Sequence, residues 1–334
     1  MGIRSCRLAR NASLLLFACC VLVVAVYISL RARGIFLEHA GVTLTQDDVA
    51  LAYEHAKEGS KTQYIPRIIH QIYHNWHDED DPDNTTMPAK WKEARESCIS
   101  LHKEWENILW TTKTSREFIE KKYPKFLKTY DGFRYPVQRV DALRYYLMRY
   151  YGGIYIDLDN GCRANLEPLL YYPTWTTDGG HGTLSNNILG AEPGHPFWEL
   201  VTNSLKSYSW NYLLPYLTIS YATGQWFLTD VWQTYHAKIK GKKEPPLTRI
   251  MMDMRPGAAP WTFFTATEGG SWNNWDNDVF GWIGSHLVIV VFGGAAALAL
   301  QVAVFCLTWK VIKAYAGRRA RYQRLQAKDV ESTD

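Results

Sequence analysis

The stretch of residues 140–160, V-D-A-L-R-Y-Y-L-M-R-Y-Y-G-G-I-Y-I-D-L-D-N, constrains the fold of this chain more than any other. Its first half has apolar residues at helical spacing and predicts a helix to about residue 151 that packs on a core. Gly152-Gly153 then ends the helix, and I-Y-I predicts a short buried strand. Asp157 and Asp159 follow at the C-terminal end of this strand, which is where open α/β sheets bind ligands. The stripe on the helix consists of Val140, Leu143, Leu147 and Tyr150.

Four charged residues of this stretch predict a site for a sugar nucleotide. Two carboxylates at the spacing of Asp157 and Asp159 can share one hard divalent cation and leave positions open for diphosphate oxygens. An acidic surface loop produces the same triplet by chance. Asp141 and Arg144 lie at i and i+3 on the preceding helix, where a carboxylate can orient a guanidinium, although an ordinary intrahelical ion pair has the same spacing.

The run R-V-D-A-L-R-Y-Y-L-M-R-Y-Y-G-G-I-Y-I-D-L-D resembles the Asp-x-Asp sugar-binding region of the fungal α-mannosyltransferase family. That family includes the initiating α-1,6-mannosyltransferase of N-glycan outer chains and the mannosyl-inositol-phosphorylceramide synthases, whose catalytic subunits the chain resembles most. The resemblance implies an α/β GT-A-type (Rossmann-like) glycosyltransferase fold, Mn²⁺ as the metal ion and GDP-mannose as the donor. It also implies that Asp159 holds the metal, that Asp157 lies near metal and donor ribose, and that Asp141 and Arg144 hold the donor sugar.

Two other runs resemble motifs of the same family. The run I-P-R-I-I-H-Q-I-Y resembles its opening strand, in which a terminal aromatic residue stacks on the nucleotide base. That role falls to Tyr73, or else to Trp76, and core packing is the alternative for Tyr73. The run G-G-S-W resembles the closing loop, which implies that Ser271 and Trp272 bind the donor diphosphate. Relatives often carry His near Glu268, so Glu268 is not assigned to the metal.

Two uncharged apolar runs are long enough to span a bilayer. Residues 13–30 follow three arginines and predict an uncleaved signal anchor, with a cleaved signal peptide as the competing interpretation. Residues 286–309 precede a basic tail and predict a second span, for which a buried core helix is the alternative. The basic residues outside both runs predict that both termini are cytosolic and that the catalytic domain is lumenal. The family resemblance implies that the membrane is that of the Golgi. Arg31 and Arg33 weaken this charge asymmetry without reversing it.

A lumenal domain has consequences for two kinds of side chain. Asn84-Thr85-Thr86 is an N-glycosylation acceptor in a polar stretch. Cys98 and Cys162 are the two cysteines outside the apolar runs and their flanks, so one disulfide between them is an option, and two free buried thiols are the other.

Strands alternate with helices from residue 64 onward, which predicts a parallel, doubly wound sheet. The polar segment 31–63 is predicted to be a stem outside the domain. His195, beside a proline at a helix start, is predicted to cap or pack rather than to act as a base. The predicted layout is a cytosolic tail 1–12, a signal anchor 13–30, a lumenal stem 31–63, a GT-A domain 64–283, a transmembrane helix 286–309 and a basic cytosolic tail 310–334.

The formal net charge is only +4, and the basic residues are grouped at the two ends, which favours a membrane over nucleic acid as partner. A second span directly after the domain keeps the site close to the bilayer, where a lipid head group can reach it. Together with the family resemblance, this position at the bilayer predicts retaining, metal-dependent transfer of mannose from GDP-mannose to inositol phosphorylceramide, in a heteromer with a membrane regulatory subunit. A Golgi α-mannosyltransferase of N-glycans and a non-catalytic scaffold for an active paralogue are the alternatives.

Overall fold

The structure is a computed structural model and describes residues 3–56, 62–75, 81, 84–180, 182–253, 258, 260–269 and 274–331. The chain forms two compact units, Met1–Asn273 and Asn274–Asp334. The strands are β1 (Val42–Leu44), β2 (Ile68–Ile72), β3 (Glu106–Trp110), β4 (Gly153–Ile156), β5 (Asn160–Cys162), β6 (Thr174–Asp178), β7 (Leu184–Ala191), β8 (Thr248–Met251) and β9 (Phe264–Ala266). The helices are α1 (Ile3–Phe36), α2 (Gln46–His55), α3 (Ala89–Leu101), α4 (Thr112–Lys122), α5 (Pro124–Asp131), α6 (Pro136–Tyr150), α7 (Pro196–Tyr208), α8 (Pro215–Ala222), α9 (Gln225–Ile239), α10 (Trp275–Ser285) and α11 (Leu287–Glu331).

Within the described residues, seven strands of the first unit form one mixed sheet in the order β1-β8-β6-β7-β4-β2-β3. Strand β7 is antiparallel to both of its neighbours, whereas the other neighbouring pairs are parallel. The parallel prediction is therefore correct for most of the sheet and wrong for β7. The reason is the connection between β6 and β7, residues 179–183, which is too short for the crossover that a parallel pair needs.

The sheet is covered on both faces by apolar side chains. One layer includes α4, α5, α6, α7 and α9 and packs against Tyr155 and Leu189 of the sheet. The opposite layer includes Ile154, Trp175 and Ile188. Because Ile154 and Tyr155 are consecutive residues of β4, their side chains point to opposite faces, and the central strand is buried from both sides.

The segment 31–63 belongs to the first unit, which corrects the domain boundary predicted at residue 64. Strand β1 pairs with β8 in parallel and forms an edge of the sheet. Helix α2 follows with a capping box, in which the Thr45 hydroxyl accepts from the Asp48 N–H at 3.0 Å and the Asp48 carboxylate accepts from the Thr45 N–H at 2.9 Å. A strand of three residues carries too little periodicity to be recognised, so the polar composition of the segment dominated the prediction.

Helix α6 and strand β4 bring the predicted site residues to the middle of the sheet. The helix begins with Pro136 at its first position, and the Gln138 side chain accepts from the Tyr135 N–H at 3.1 Å. Its end is set by Gly152, whose φ of 65° leads the chain directly into β4. A Cβ at this position would lie 2.5 Å from the Ala191 carbonyl oxygen, so the strand can follow the helix this closely only with glycine.

Strand β5 directly follows the Asp-x-Asp triplet and is held by two partners. It pairs antiparallel with β9, and its residue Cys162 is joined by a disulfide to Cys98 of α3, with the two Cα atoms 4.7 Å apart. The chain after the acids is therefore tied to both α3 and β9.

Among the described residues, two helices are long and apolar enough to cross a membrane, judged by length and composition. In α1 the residues concerned are Cys19–Phe36, with a mean hydropathy of 1.8. In the second unit they are Val288–Arg319 of α11, with a mean hydropathy of 2.4. Helix α11 continues into the basic tail as far as Glu331, beyond the predicted boundary at residue 309.

Candidate active site

Asp157 and Asp159 lie in the turn between β4 and β5, and hydrogen bonds fix the backbone of both. The Asp157 N–H donates to the Asn187 carbonyl at 2.8 Å, as a continuation of the β4–β7 pairing. The Asp159 carbonyl accepts from the Thr267 N–H at 2.7 Å and from its hydroxyl at 3.1 Å. The two carboxylates are therefore held at the end of the central strand, as the sequence predicts.

The Asp157 carboxylate is held by two neighbours. Nη1 of Arg144 donates to Oδ2 at 3.2 Å, and the hydroxyl of Tyr155 donates to Oδ1. The guanidinium of Arg144 also stacks over the Tyr155 ring, 4.7 Å from its centroid. Burial raises the pKa of Asp157, while Arg144 and the Tyr155 hydroxyl oppose this shift. The side chain is still 27% exposed, so it can also contact a ligand.

The Asp159 carboxylate has different surroundings. Its Oδ1 atom is buried and has no hydrogen-bond partner among the described residues. Burial raises the pKa of Asp159 to about 7, and the nearby Asp157 charge adds to this shift. Gly269 lies so close to Asp159 that a Cβ atom added to Gly269 would be 1.9 Å from the Oδ2 atom of Asp159. A buried, unpartnered carboxylate oxygen beside a second carboxylate is a position that a cation would stabilise.

Asp141 and Arg144 form a buried ion pair on α6, with Arg144 Nη2 3.3 Å from Asp141 Oδ1. Arg144 also donates to the Asn186 carbonyl at 2.7 Å. Both Asp141 oxygens accept a further bond, Oδ1 from Asn186 Nδ2 at 2.9 Å and Oδ2 from the Thr223 hydroxyl at 3.0 Å. Burial raises the pKa of Asp141, and Arg144 opposes the shift. Arg144 thus connects Asp141 to Asp157 of the triplet.

Two residues of this network, Asn186 of β7 and Tyr155 of β4, were not predicted as members of the site. Thr223, at the end of α8, lies in the run Thr223-Gly224-Gln225, which resembles a turn near the sugar in the mannosyltransferase family. Two amides in a row, Asn186-Asn187, are unusual in an otherwise apolar buried strand and were the available signal. Tyr155 has no sequence signal, because an aromatic residue in a buried strand is expected for packing alone.

Tyr73 lies at a cavity of about 310 Å³ beside the end of β2. Its hydroxyl donates to the Thr86 carbonyl at 2.8 Å, and its ring contacts Trp91 edge-on. The cavity has aromatic, hydroxyl and charged groups in its wall, among them Thr112, Arg116, Tyr130, Asp131 and Arg139.

The other predicted residues are placed as follows. Asn84 is exposed, and its side-chain oxygen accepts from the Thr86 N–H at 2.9 Å. Glu268 forms a surface ion pair with Lys90 at 2.9 Å. His195 is the N-cap of α7, where Nδ1 accepts from the Phe197 N–H at 3.1 Å. Ser271, Trp272 and Trp76 lie outside the described residues.

The described part of the chain contains no group of three or more His, Cys, Asp or Glu side chains that could hold a metal. Asp157 and Asp159 nevertheless fit a divalent cation, because hard cations prefer carboxylate oxygens and one Asp159 oxygen lacks a partner. The remaining ligand positions would belong to diphosphate oxygens and water, which is how magnesium-like ions bind at phosphate sites.

Residues 88–175, which contain α6, β4 and both acids, match the family described as glycosyltransferase sugar-binding region containing DXD motif. The fold and the paired acids thus define a glycosyltransferase of the Asp-x-Asp class. Among curated proteins, inositol phosphoceramide mannosyltransferases 2 and 3 of Schizosaccharomyces pombe are 38% and 36% identical to this chain over 234 and 259 residues. The chain belongs to this family of inositol phosphoceramide mannosyltransferases.

The share of each chain that aligns differs between relatives. The two Schizosaccharomyces pombe alignments cover 69% and 78% of this chain and 64% and 69% of the relatives. The mannosyl phosphorylinositol ceramide synthase SUR1 of Saccharomyces cerevisiae is 37% identical, over 70% of this chain and 58% of its own. The chain therefore spans less than two thirds of the length of inositol phosphoceramide mannosyltransferase 2 and of SUR1.

Proposed function

We propose that this protein transfers mannose from GDP-mannose to inositol phosphorylceramide, with retention of the α configuration and with Mn²⁺ as the metal ion. The names of the relatives support mannose as the sugar and inositol phosphorylceramide as the lipid acceptor. The single observation that carries the proposal is the network of Asp141, Arg144, Asp157 and Asp159, in which a buried carboxylate oxygen of Asp159 is left for a ligand.

Asp157 and Asp159 would hold the metal ion. When bound, a divalent ion supplies positive charge that stabilises the departing diphosphate. Arg144 and Tyr155 orient Asp157, so one acid is fixed by the protein while the other has an oxygen to offer. Gly269 leaves room for the chain to pass beside Asp159. Ser271 and Trp272 stay proposed ligands of the donor diphosphate.

The cavity beside Tyr73 is the proposed position of the nucleotide base. The Tyr73 ring is held by its hydroxyl, so it can stack on a base without first being ordered. Arg116 forms two hydrogen bonds with Asp131, at 3.0 and 2.8 Å, and so fixes this carboxylate in the cavity wall. A carboxylate accepts well from the N1–H and amino group of guanine, which supports GDP as the nucleotide. Arg139 is proposed to approach the diphosphate.

The reaction breaks the bond between the mannose C1 and the diphosphate oxygen and forms a bond from C1 to an acceptor hydroxyl oxygen. We propose that the departing phosphate oxygen takes the hydroxyl proton, on the same face of the sugar. Asp141 accepts hydrogen bonds on both oxygens, which supports a role in holding the sugar hydroxyls rather than in attacking C1. An oxocarbenium-like transition state is expected.

The location is proposed from the two apolar helices. The apolar part of α1 up to about Arg31 and residues Val288–Arg319 of α11 would both span the Golgi membrane, with cytosolic termini and a lumenal catalytic domain of the GT-A type. The disulfide between Cys98 and Cys162 supports an oxidising compartment for the domain. A membrane regulatory subunit is the proposed partner.

The test is transfer of labelled mannose from GDP-mannose to inositol phosphorylceramide in membranes that contain the full chain. We expect a labelled lipid that disappears with EDTA and with the double variant Asp157→Ala and Asp159→Ala. Label on a glycan acceptor and none on the lipid would move the function to N-glycan mannosylation. Rescue of a null strain by Asp159→Ala would support a scaffold instead.

A further inference from the structure

The C-terminal part of α1 is fastened to the first unit through Arg31. Its guanidinium forms an ion pair with Asp230 of α9 and donates to the hydroxyls of Tyr208 and Tyr221, at 3.2 and 3.4 Å. The same guanidinium donates to the Tyr27 hydroxyl, one turn earlier on α1, at 2.8 Å. The Asp230 side chain is only 5% exposed, so it needs this partner, and the position of Arg31 on the unit is defined.

The part of α1 before Arg31 has apolar side chains that the described residues leave exposed, among them Leu22, Val24 and Leu30. Tyr27 and Arg31 follow at the end of this apolar stretch, as aromatic and basic residues do at a membrane interface. Arg31 and its partners Asp230, Tyr208 and Tyr221, here called the Arg31 cluster, therefore mark the level at which the first span would leave the bilayer.

A loop of residues 209–214, between α7 and α8, lies at this same level. It follows Tyr208 directly, and the ring of its residue Tyr212 packs on Tyr221 with centroids 5.4 Å apart. Two large apolar side chains of the loop point outward, since Trp210 is 69% exposed and Leu213 is 87% exposed.

The loop is built to present these two side chains. The Trp210 indole N–H donates to the Ser207 carbonyl at 3.1 Å, so its polar group is satisfied and the rest of the ring is apolar. Leu213 has a φ of 73°, which is costly for a residue other than glycine, and its N–H donates to the Asn211 side chain at 3.1 Å. Both the positive φ and the exposure of Leu213 are unfavourable for folding, so the stability of the fold does not explain them.

We propose that Trp210 and Leu213 insert into the interface of the lipid bilayer beside the first span. This inference rests on the proposed function, because it requires α1 to cross a membrane. A bilayer fits the patch because α1 is itself apolar and its end contacts this loop through the Arg31 cluster. Tryptophan is favoured in such interfaces, and leucine gains by leaving water.

The proposal links the membrane to the donor site by a single short helix. Helix α8 starts directly after the loop, and its C-cap Thr223 donates to Asp141 of the site. A helix of this length rises by about 12 Å, at about 1.5 Å per residue. A lipid head group beside the inserted loop is therefore one short helix away from the sugar-binding acid.

The test measures the depth of single nitroxide labels in the full chain, in phosphatidylcholine vesicles. Cys6, Cys19, Cys20 and Cys306 are replaced by alanine, and the Cys98–Cys162 disulfide is kept. Labels are attached through Trp210→Cys or Leu213→Cys, through Leu51→Cys on α2 as an exposed control, and through Val24→Cys as the reference in α1. We expect the ratio of collisions with oxygen to those with a water-soluble nickel complex to be at least threefold higher at 210 and 213 than at 51.

Equal ratios at positions 51, 210 and 213 would overturn the proposal while a high ratio at position 24 leaves the membrane span in place. A low ratio at position 24 would contradict the span itself, and with it the proposed location. As a label-free measurement, brominated phosphatidylcholine should quench the unlabelled chain more than the Trp210→Phe variant. An equal loss of fluorescence in the unlabelled chain and in the Trp210→Phe variant would also overturn the insertion of Trp210.

Discussion

Asp157 and Asp159 are two residues apart in the chain, yet their carboxylates have different surroundings. Asp157 is held by Arg144 and Tyr155, whereas a buried oxygen of Asp159 has no partner among the described residues. A group that is buried without a partner lowers the free energy of unfolding, and such a cost is usual at functional sites.

We therefore predict that two similar substitutions, Asp157→Asn and Asp159→Asn, differ in their effect on the free energy of unfolding. Above pH 7, where the Asp159 carboxyl with its pKa of about 7 is charged, Asp159→Asn should leave the free energy of unfolding unchanged or raise it by about 1 kcal/mol, because an uncompensated buried charge is removed. Asp157→Asn should lower it by about 1–3 kcal/mol, because Arg144 loses a charged partner. Both should reduce mannose transfer by about 100-fold or more. Denaturant unfolding without donor or metal measures the first two, and equal destabilisation by both variants would contradict the argument.

Thr223 offers a second test at this scale. Thr223→Val keeps the shape of the side chain but removes the hydroxyl that donates to Asp141 at 3.0 Å. We expect a loss of about 1–3 kcal/mol in the free energy of unfolding and reduced transfer, with Thr223→Ser restoring both. Thr202→Val on α7 removes a buried hydroxyl away from the acids and serves as control. Transfer that falls equally in both valine variants would indicate a general loss of stability.

At the residue scale, the sequence could predict those contacts that are local in the chain. Asp141 and Arg144 are one helical turn apart, so their pairing follows from helix geometry. The bonds from Asn186 and Thr223 to Asp141 join residues 45 and 82 positions apart. Such contacts depend on how β7 and α8 pack against α6, which no local pattern contains.

At the scale of secondary-structure elements, the turn between α6 and β4 sets the position of Asp157 and Asp159. Gly152 and Gly194 both have a positive φ, of 65° and 73°, but only at Gly152 would a Cβ meet backbone atoms of the described chain within 3 Å. Gly194→Ala should cost about 1–2 kcal/mol, from the backbone conformation alone. Gly152→Ala should cost about 2–5 kcal/mol, because the chain must also move away from the Ala191 carbonyl. Thermal unfolding of the two variants tests this difference, and equal midpoints would contradict it.

The elements themselves were predicted well where their periodicity is long. Helix α6 was predicted to end at about residue 151 and ends at Tyr150. Helix α4 begins at Thr112, after Thr111 as its cap. Strand β1 was missed because its three residues become a strand only by pairing with β8, far along the chain.

At the scale of the whole molecule, the proposed topology makes a prediction for Asn84. If the domain is lumenal, Asn84 should carry an N-glycan, because it is exposed and followed by two threonines. An endoglycosidase should increase the gel mobility of the expressed protein, and Asn84→Gln should abolish that change. Epitope tags at the two termini should be digested by protease added to sealed vesicles. Protected tags would contradict the topology.

The pairing of β1 with β8 also has a consequence for biosynthesis. Val42 pairs with Thr248, so the ribosome adds about 200 further residues before the first strand has its partner, which takes about 10–40 s. Until then a nascent chain can place α1 in the membrane, while the other strands assemble and β6 remains an open edge. A translation product that stops before residue 248 would keep this edge, and unpaired edges promote aggregation. Completion of this sheet is therefore a late event in the synthesis of the chain, and until then its stability lacks the contribution of both β1 and β8.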